Sequence, residues 1–376
     1  MNINTIKVVD YYLGYLLIII FWPLNFFINL TIKFIPNIFF KKNILFFKIV
    51  GGGSLLIAAP YIFAIKKKYP EYKITLLCSD SVAPFAKALN IFDDIYIISM
   101  NNPLSLLMSF VRQFTHALFS EYTINLEMHS KLASLLNLYA ISRRRIALYL
   151  NYNRWQSNSI NLPIFMNRLQ PVFEGYSNIA HAMDCNHVKF SDFQSHFRIS
   201  NNIKNKKRNY VVLAPFCSDI YSERELNPSQ IKSIISKLKY KKNTQFIILG
   251  GKNDIEKSNQ LEKELNKTLL RTSNQTGRTS IVEVIKILNS TKMLITIDSG
   301  ILHIARLIGI KTLSYWGPSD PASRLFGSLA RDKIVYKSIP CSPCVHILDR
   351  APCRGNNLCI KQYFQPVPKN IFWHIR

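Results

Sequence analysis

Ile297-Asp298-Ser299-Gly300-Ile301-Leu302-His303-Ile304-Ala305 is the stretch on which the reading of this chain turns. The apolar run Met293–Ile297 reads as a strand, and Asp298 and Ser299 are favoured residues at a helix start. Gly300 lets a ligand approach the backbone closely. Apolar residues then recur at helical spacing. A strand running into a helix start forms the corner at which open α/β sheets bind ligands. The unpaired amides of the first helical turn, reinforced by the helix dipole, suit a diphosphate. The same residues also fit a plain helix cap with a core-facing His303.

Working outward, strand-like and helix-like segments alternate in both directions. Upstream lie a strand at Tyr210–Ala214, a helix at Pro228–Leu238 and a strand at Gln245–Leu249. A helix at Asp254–Asn266 and another at Ser280–Leu288 follow, and a strand at Lys311–Tyr315 closes the series. The N-terminal half repeats the alternation. Strands are expected at Ile44–Val50, Lys73–Cys78, Asp94–Ile98 and Tyr122–Leu126. Helices are expected at Ser54–Lys67, Val82–Leu89 and Leu132–Ile141. Strands spaced by crossover helices imply parallel sheets. At 376 residues the chain accommodates two such domains. The polar, basic stretch 200–209 reads as a linker between a domain at 43–199 and a second at 210–335. A segment at 1–42 precedes them and a cysteine-containing tail at 336–376 follows.

The N-terminal segment is uncharged from Tyr11 to Ile32 and rich in Leu, Ile and Phe. About twenty apolar residues suffice to cross a bilayer as a helix. Lys33, Lys41 and Lys42 follow, which predicts a membrane helix with the two domains facing the cytoplasm. Pro23, Asn25 and Asn29 keep open a kinked helix lying in the cytoplasmic leaflet, or one packed on the N-terminal domain. No basic start and no small-residue cleavage site mark a secretory signal.

The formal net charge is +26, from 48 Lys and Arg against 22 Asp and Glu. That excess favours an anionic partner: acidic lipid, a phosphorylated substrate or nucleic acid. No helix-turn-helix, zinc-finger or RNP pattern accompanies it, so nucleic acid is not expected. Cys78, Cys185 and Cys217 are isolated and fit reduced, buried thiols. Cys341, Cys344, Cys353 and Cys359 form C-x2-C, eight residues, then C-x5-C. The spacing suggests a structural clip, zinc-bound or simply reduced.

Three further motifs surround the 297–305 corner: Leu249-Gly250-Gly251, Thr276-Gly277-Arg278-Thr279-Ser280, and Tyr315-Trp316-Gly317-Pro318-Ser319-Asp320-Pro321. In this order they resemble the C-terminal half of glycosyltransferase family 9, the ADP-heptose:lipopolysaccharide heptosyltransferases. The likeness runs nearly unbroken from Tyr210 to Pro321. It is looser but collinear from Lys48 to Pro70, where a glycine loop precedes a basic helix ending in Tyr69-Pro70. The resemblance implies a GT-B fold of two Rossmann-like domains, inversion at the transferred carbon, and neither cofactor nor catalytic metal. It implies a nucleotide-diphospho-sugar donor, an ADP-sugar, held by Asp298, Ser299, Gly300, His303, Gly251 and Thr279. The acceptor would be a lipopolysaccharide or another lipid-linked envelope glycan at the cytoplasmic membrane, and the transferred unit a heptose or related sugar.

Two positions carry the chemistry in this reading. Arg224 stands where family members have a basic residue before a helix, and a guanidinium there would stabilise the departing diphosphate. Read plainly, it is a solvated residue at a helix entrance. Many members carry an aspartate, a proposed base, in the loop after the first strand; here that place is Ser54, whose pKa is too high for a lone base. Glu127, following the strand at 122–126, is the candidate base instead, though an acid there could equally favour the next helix dipole. Gly51-Gly52-Gly53 fails the G-x-G-x-x-G pattern because Leu56 occupies the third glycine's place. Gly52, Gly53 and Ser54 read as an acceptor loop or as a purely conformational turn. With Ser54 in the acid's place, a catalytically silent nucleotide- or glycan-binding partner is the second reading.

Overall fold

The alternation extends over both halves of the protein in the computed structural model, which describes residues 3–20, 22–128, 130–150, 159–204, 210–217, 222–268, 270–345, 347–348, 351–353 and 355–365. The chain divides into two compact units, residues 1–193 and 194–376.

The first unit opens with α1 (Ile3–Ile20) and α2 (Trp22–Ile32). There follow β1 (Lys41–Lys48), α3 (Gly52–Lys68), β2 (Lys73–Ser79), α4 (Ala83–Leu89), β3 (Asp94–Ile98) and α5 (Pro103–Ala117). β4 (Ser120–Asn125), α6 (Lys131–Tyr139), β5 (Arg144–Leu150), β6 (Leu162–Met166) and α7 (Val172–Ala182) complete it, and α8 (Phe190–Ser200) runs across the boundary into the second unit. All six strands are parallel, in the order β3-β2-β1-β4-β5-β6. Ile44 to Phe47 of β1 and Ile74 to Ser79 of β2 are all buried. Such continuous burial marks strands covered on both faces, which explains why they show no in-out alternation.

In the second unit come β7 (Tyr210–Ala214), α9 (Pro228–Ser236), β8 (Gln245–Ile248), α10 (Ile255–Asn266), β9 (Arg271–Asn274) and α11 (Ile281–Asn289). β10 (Thr291–Ile297), α12 (Gly300–Ile308), β11 (Lys311–Tyr315), α13 (Pro321–Arg324), β12 (Asp332–Val335) and α14 (Leu358–Lys361) follow. This sheet is also parallel, ordered β12-β11-β10-β7-β8-β9. Counted from each unit's first strand, both sheets read 3-2-1-4-5-6, the doubly wound order with a crevice where strand direction of travel reverses. That crevice lies between β1 and β4 in one unit, and between β7 and β10 in the other. Val211, Leu213, Phe246, Ile248, Ile295 and Ile297 fill the second core together with Cys359 and Ile360. The tail therefore packs into the domain: Tyr363 donates to the Trp316 carbonyl at 2.7 Å, and Phe364 stacks on Tyr315. α12 is anchored at its far end by Arg306, whose Nε meets Asp332 at 2.7 Å and whose Nη groups bond the carbonyls of Phe326 and Gly327.

The N-terminal membrane helix expected from the sequence is not supported. Among the described residues no helix is long and apolar enough to cross a membrane. α1 is described over 18 residues and α2 over 11, and Phe21 between them lies outside the described residues. Pro23 is the second residue of α2, where proline is tolerated. α1 also carries Asp10, whose carboxylate accepts from the Ser130 hydroxyl (2.7 Å) and the Lys131 amide (3.0 Å). The Lys131 ammonium lies 4.3 Å from the centres of the Tyr11 and Tyr15 rings. These contacts fasten α1 to α6.

The spacing of Cys341, Cys344, Cys353 and Cys359 leaves open a clip that is zinc-bound or simply reduced. Among the described residues no group of three or more His, Cys, Asp or Glu is placed to hold a metal ion. Cys359 is buried in the apolar core, beside Gly317 and Ile360, and its thiol is pushed up to about 12 by burial first and by its cysteine neighbours next. A thiol held protonated in that way is a small core residue. Of the expected linker, residues 205–209 lie outside the described residues.

Candidate functional site

The crevice of the first unit is built on Glu127, two residues beyond β4. Its Oε1 accepts from the amides of Ile49 and Val50, each at 2.8 Å, and meets the Lys48 ammonium at 3.1 Å. The Glu127 amide donates to Asn125 Oδ1 at 2.9 Å. Glu127 thus clasps the segment leaving β1, and all three partners use one oxygen of the carboxylate. It does not cap α6: Ser130 Oγ accepts from the Ala133 amide, and Asp10 takes the Lys131 amide. Lys48 escaped the sequence reading, yet the signal was there. A cation within a strand buried on both faces must find a buried anion.

The glycine loop is more conformational than expected. Gly51 has a φ of +85°, in the region that favours glycine. A Cβ on Gly52 would lie 2.2 Å from the Phe85 ring, so a side chain of α4, rather than a ligand, takes that space. Gly53 continues the first turn of α3, and the Ser54 hydroxyl donates to the Gly51 carbonyl at 2.8 Å. Ser54 serves the turn.

The crevice of the second unit joins Asp298, after β10, to Arg224, in the segment after β7. Arg224 Nη1 donates to the Asp298 carbonyl at 2.8 Å and to its Oδ2 at 3.2 Å, both side chains being largely buried. Burial alone would raise the Asp298 carboxyl; Arg224 first, then Arg324 and His303, outweigh it and hold the group at about 2. Burial acts to lower the Arg224 guanidinium, and Asp298 more than compensates, so its net direction is upward. The solvated reading of Arg224 is therefore replaced by a buried ion pair. His303 is buried in α12 and is driven down to about 4, by burial first and by Arg306, Arg324 and Arg224 against the pull of Asp298. It is a neutral imidazole at pH 7.

Ser299 is the N-cap of α12, in extended conformation, but its side chain makes no capping bond; its hydroxyl lies 3.3 Å from Thr296 Oγ1. The first turn from Gly300 consequently keeps its amides for another acceptor. Gly251 and Thr279 follow β8 and β9 at the same carboxyl edge. The Gly251 amide is taken by Asp254 Oδ2 at 2.8 Å, and a Cβ on Gly250 would meet Thr276 at 2.9 Å. The two glycines thus close the strand end against the 276–279 turn. Thr279 is half-buried immediately before Ser280, the cap of α11. Two groups escaped the sequence reading. Arg324 adds a buried cation near Asp298. Glu225, paired with Lys257 at 2.8 Å and accepting from the Cys217 amide at 3.3 Å, steadies the residue next to Arg224.

Residues 111–354 match the family model of Glycosyltransferase family 9 (heptosyltransferase). A stretch of 109 residues is 26% identical to Lipooligosaccharide heptosyltransferase 2 of Campylobacter jejuni subsp. jejuni, covering 29% of this chain and 34% of that protein. The chain thus spans about a third of the length of that relative. Among solved structures, the fold is similar to E. coli heptosyltransferase WaaC with ADP (TM-score 0.62, 13% identity, 78% of this chain and 92% of that one). It is also similar to E. coli ADP-heptose lps heptosyltransferase II (TM-score 0.60, 14% identity, 85% and 99%). A glycosyl transferase family 9 protein from Veillonella parvula gives a TM-score of 0.58 at 15% identity, over 78% and 85%. The two parallel-sheet domains are consistent with GT-B.

Proposed function

Because the chain belongs to glycosyltransferase family 9 (heptosyltransferase), we propose that it transfers a heptose or related sugar from an ADP-sugar to a lipopolysaccharide or similar envelope glycan. The observation that carries this reading is the buried Arg224–Asp298 pair beside the uncapped first turn of α12. Together they present a fixed cation and free amides at one strand end. A nucleotide diphosphate fits there, its charge met by the dipole and by Arg224. The WaaC structure contains ADP, which supports the adenine nucleotide as donor.

In the reaction, the acceptor hydroxyl attacks the anomeric carbon from the face opposite the diphosphate. The new carbon–oxygen bond forms as the bond to the phosphate oxygen breaks, so configuration inverts. Glu127 takes the hydroxyl proton, and the electron pair leaves with the nucleotide diphosphate. Arg224 and the α12 amides stabilise that charge where it develops, so these groups can do the neutralising work without a metal. Asp298 is ionised and committed to Arg224; it positions the cation. The exposed apolar residues of α1 and α2 and the net charge of +26 support residence at the cytoplasmic membrane surface, where such acceptors are held.

The test is a transfer assay with ADP-heptose and core-truncated lipopolysaccharide, run beside thermal shifts with ADP, UDP, GDP and CMP. Selective stabilisation by ADP with sugar transfer is the expected result. Stabilisation by ADP without transfer would leave the silent-partner reading standing in its place.

A further inference from the structure

A cavity of about 500 Å³ opens in the first unit, lined among others by Asn29, Lys33, Asn37, Arg143, Arg145 and Asn161. It lies at the amino end of the sheet. Arg145 is the second residue of β5 and pairs with Thr123, whereas Glu127 lies four residues further along β4 and beyond it. At about 3.3 Å per residue the two levels are ~13 Å apart. The cavity is distinct from the acceptor crevice.

Its lining is cationic, and among the described residues no anion meets its deepest cation. Lys33 and Arg143 are exposed, and Arg143 also reaches Glu121 at 3.2 Å. Arg145 is only 3% exposed. Its Nη2 donates to Asn29 Oδ1, while Nε and Nη1 are buried with no hydrogen-bond partner among the described residues. Burial pushes its guanidinium down to about 10, and among the described residues no carboxylate opposes that effect. The surroundings are nonetheless well ordered. Asn161 Oδ1 accepts from the Arg145 amide at 2.7 Å, and its Nδ2 donates to the Arg143 carbonyl at 2.8 Å. A buried, unpaired guanidinium costs several kcal/mol, and a ligand that supplies the missing negative charge recovers that cost. Phosphate oxygens match guanidinium donors in charge and hydrogen-bond length. Immediately outside, Phe34, Ile38 and Phe39 are strongly exposed on the segment that follows α2.

We infer that this cavity binds a phosphate group, with Arg145 as its buried partner and Lys33 and Arg143 supplying charge at the mouth. The same chemistry serves a phospholipid headgroup, for which Phe34, Ile38 and Phe39 offer apolar contact, or a soluble phosphate. The inference stands independently of the transferase reading, since none of these residues touches either crevice.

The experiment uses the full chain with inorganic phosphate, chloride at matched ionic strength, and vesicles of phosphatidylcholine with or without phosphatidylglycerol. Wild type is expected to gain thermal stability in phosphate beyond that in chloride, or to float with phosphatidylglycerol vesicles. In Arg145→Met either response falls at least about tenfold in affinity. The variant's own melting temperature in phosphate-free buffer stays level or rises, because an unpaired buried charge has been removed. Should Arg145→Met not fold, K33Q/R143Q, which changes exposed residues, is expected to weaken the response by about tenfold. An Arg145-dependent response to vesicles assigns a lipid headgroup; one to inorganic phosphate without flotation assigns a soluble ligand. The inference is overturned if wild type responds to neither probe, or if both variants respond as wild type does.

Discussion

The crevices of the two domains share a topology and use it in opposite ways. In each, an acid following the fourth strand holds the segment that follows the first. Glu127 does so through two backbone amides and Lys48, all on one oxygen. Asp298 does so through one guanidinium, which bonds its carbonyl and its carboxylate together. The first arrangement stiffens a loop and leaves a carboxylate oxygen outside the clasp. The second engages the carbonyl and one carboxylate oxygen of the acid with a single guanidinium nitrogen and fixes a cation. Where strand order dictates only that two segments meet, the side chain on the first segment decides what the acid can do. Lysine and amides hold the acid by one oxygen, which suits the proposed base; a buried arginine makes the acid its anchor.

The sharpest way to break this contrast is Glu127→Gln, which keeps the shape of the clasp and removes the base. Turnover is expected to drop about a hundred- to ten-thousand-fold while ADP affinity, read by thermal shift, stays as in wild type. Turnover close to wild type would remove Glu127 from the chemistry.

Arg224→Met tests the other side. Leaving Asp298 buried without its partner is expected to cost about 3–5 kcal/mol in denaturant unfolding, and to abolish nucleotide binding. Most of the lost stability should return in R224M/D298N, because the stranded charge is gone. A double variant no more stable than the single would show that the pair is not the source of the cost.

His303 sharpens the electrostatic half of the comparison. Its folded pKa of about 4 lies below the ordinary 6.5, so the unfolded chain takes up the proton first as pH falls. The His303 contribution is complete above pH 6.5 and is lost on descending towards pH 4, by about 1 kcal/mol per pH unit. His303→Gln should flatten that part of the stability profile; an unchanged slope would assign the dependence elsewhere. Smallest of all is Ser54→Ala. Its hydroxyl serves only the Gly51 carbonyl, so stability should move by about 0.5 kcal/mol at most, with turnover retained.

Much of the fold was legible in the sequence because buried parallel strands are unbroken apolar runs: β1, β2, β7, β8 and β10 all announce themselves. The sheet edges were not. β9 (RTSN) and β12 (DKIV) are only partly buried and carry polar side chains that read as loop. β5 is hidden because it opens on the basic pair Arg144-Arg145, although Arg145 lies within the strand and is buried. Individual residues of the 297–305 corner were legible because capping preference and helical spacing are local. Their partners were not: Arg224 lies 74 residues from Asp298 and Glu127 lies 78 from Ile49, distances that only the sheet order closes. The N-terminal segment misled for a related reason. Hydropathy counts apolar residues but not the bonds by which Asp10 ties α1 to α6.

The Arg306 anchor at the far end of α12 has a consequence for the catalytic cycle. On the proposed function, a helix held at Asp332, Phe326 and Gly327 would meet the charge of a departing diphosphate with little reorganisation of its dipoles. The same stiffness would persist afterwards. A cradle that does not relax would grip the spent nucleotide as firmly as the forming one, and release of that product, rather than sugar transfer, would then be the expected bottleneck.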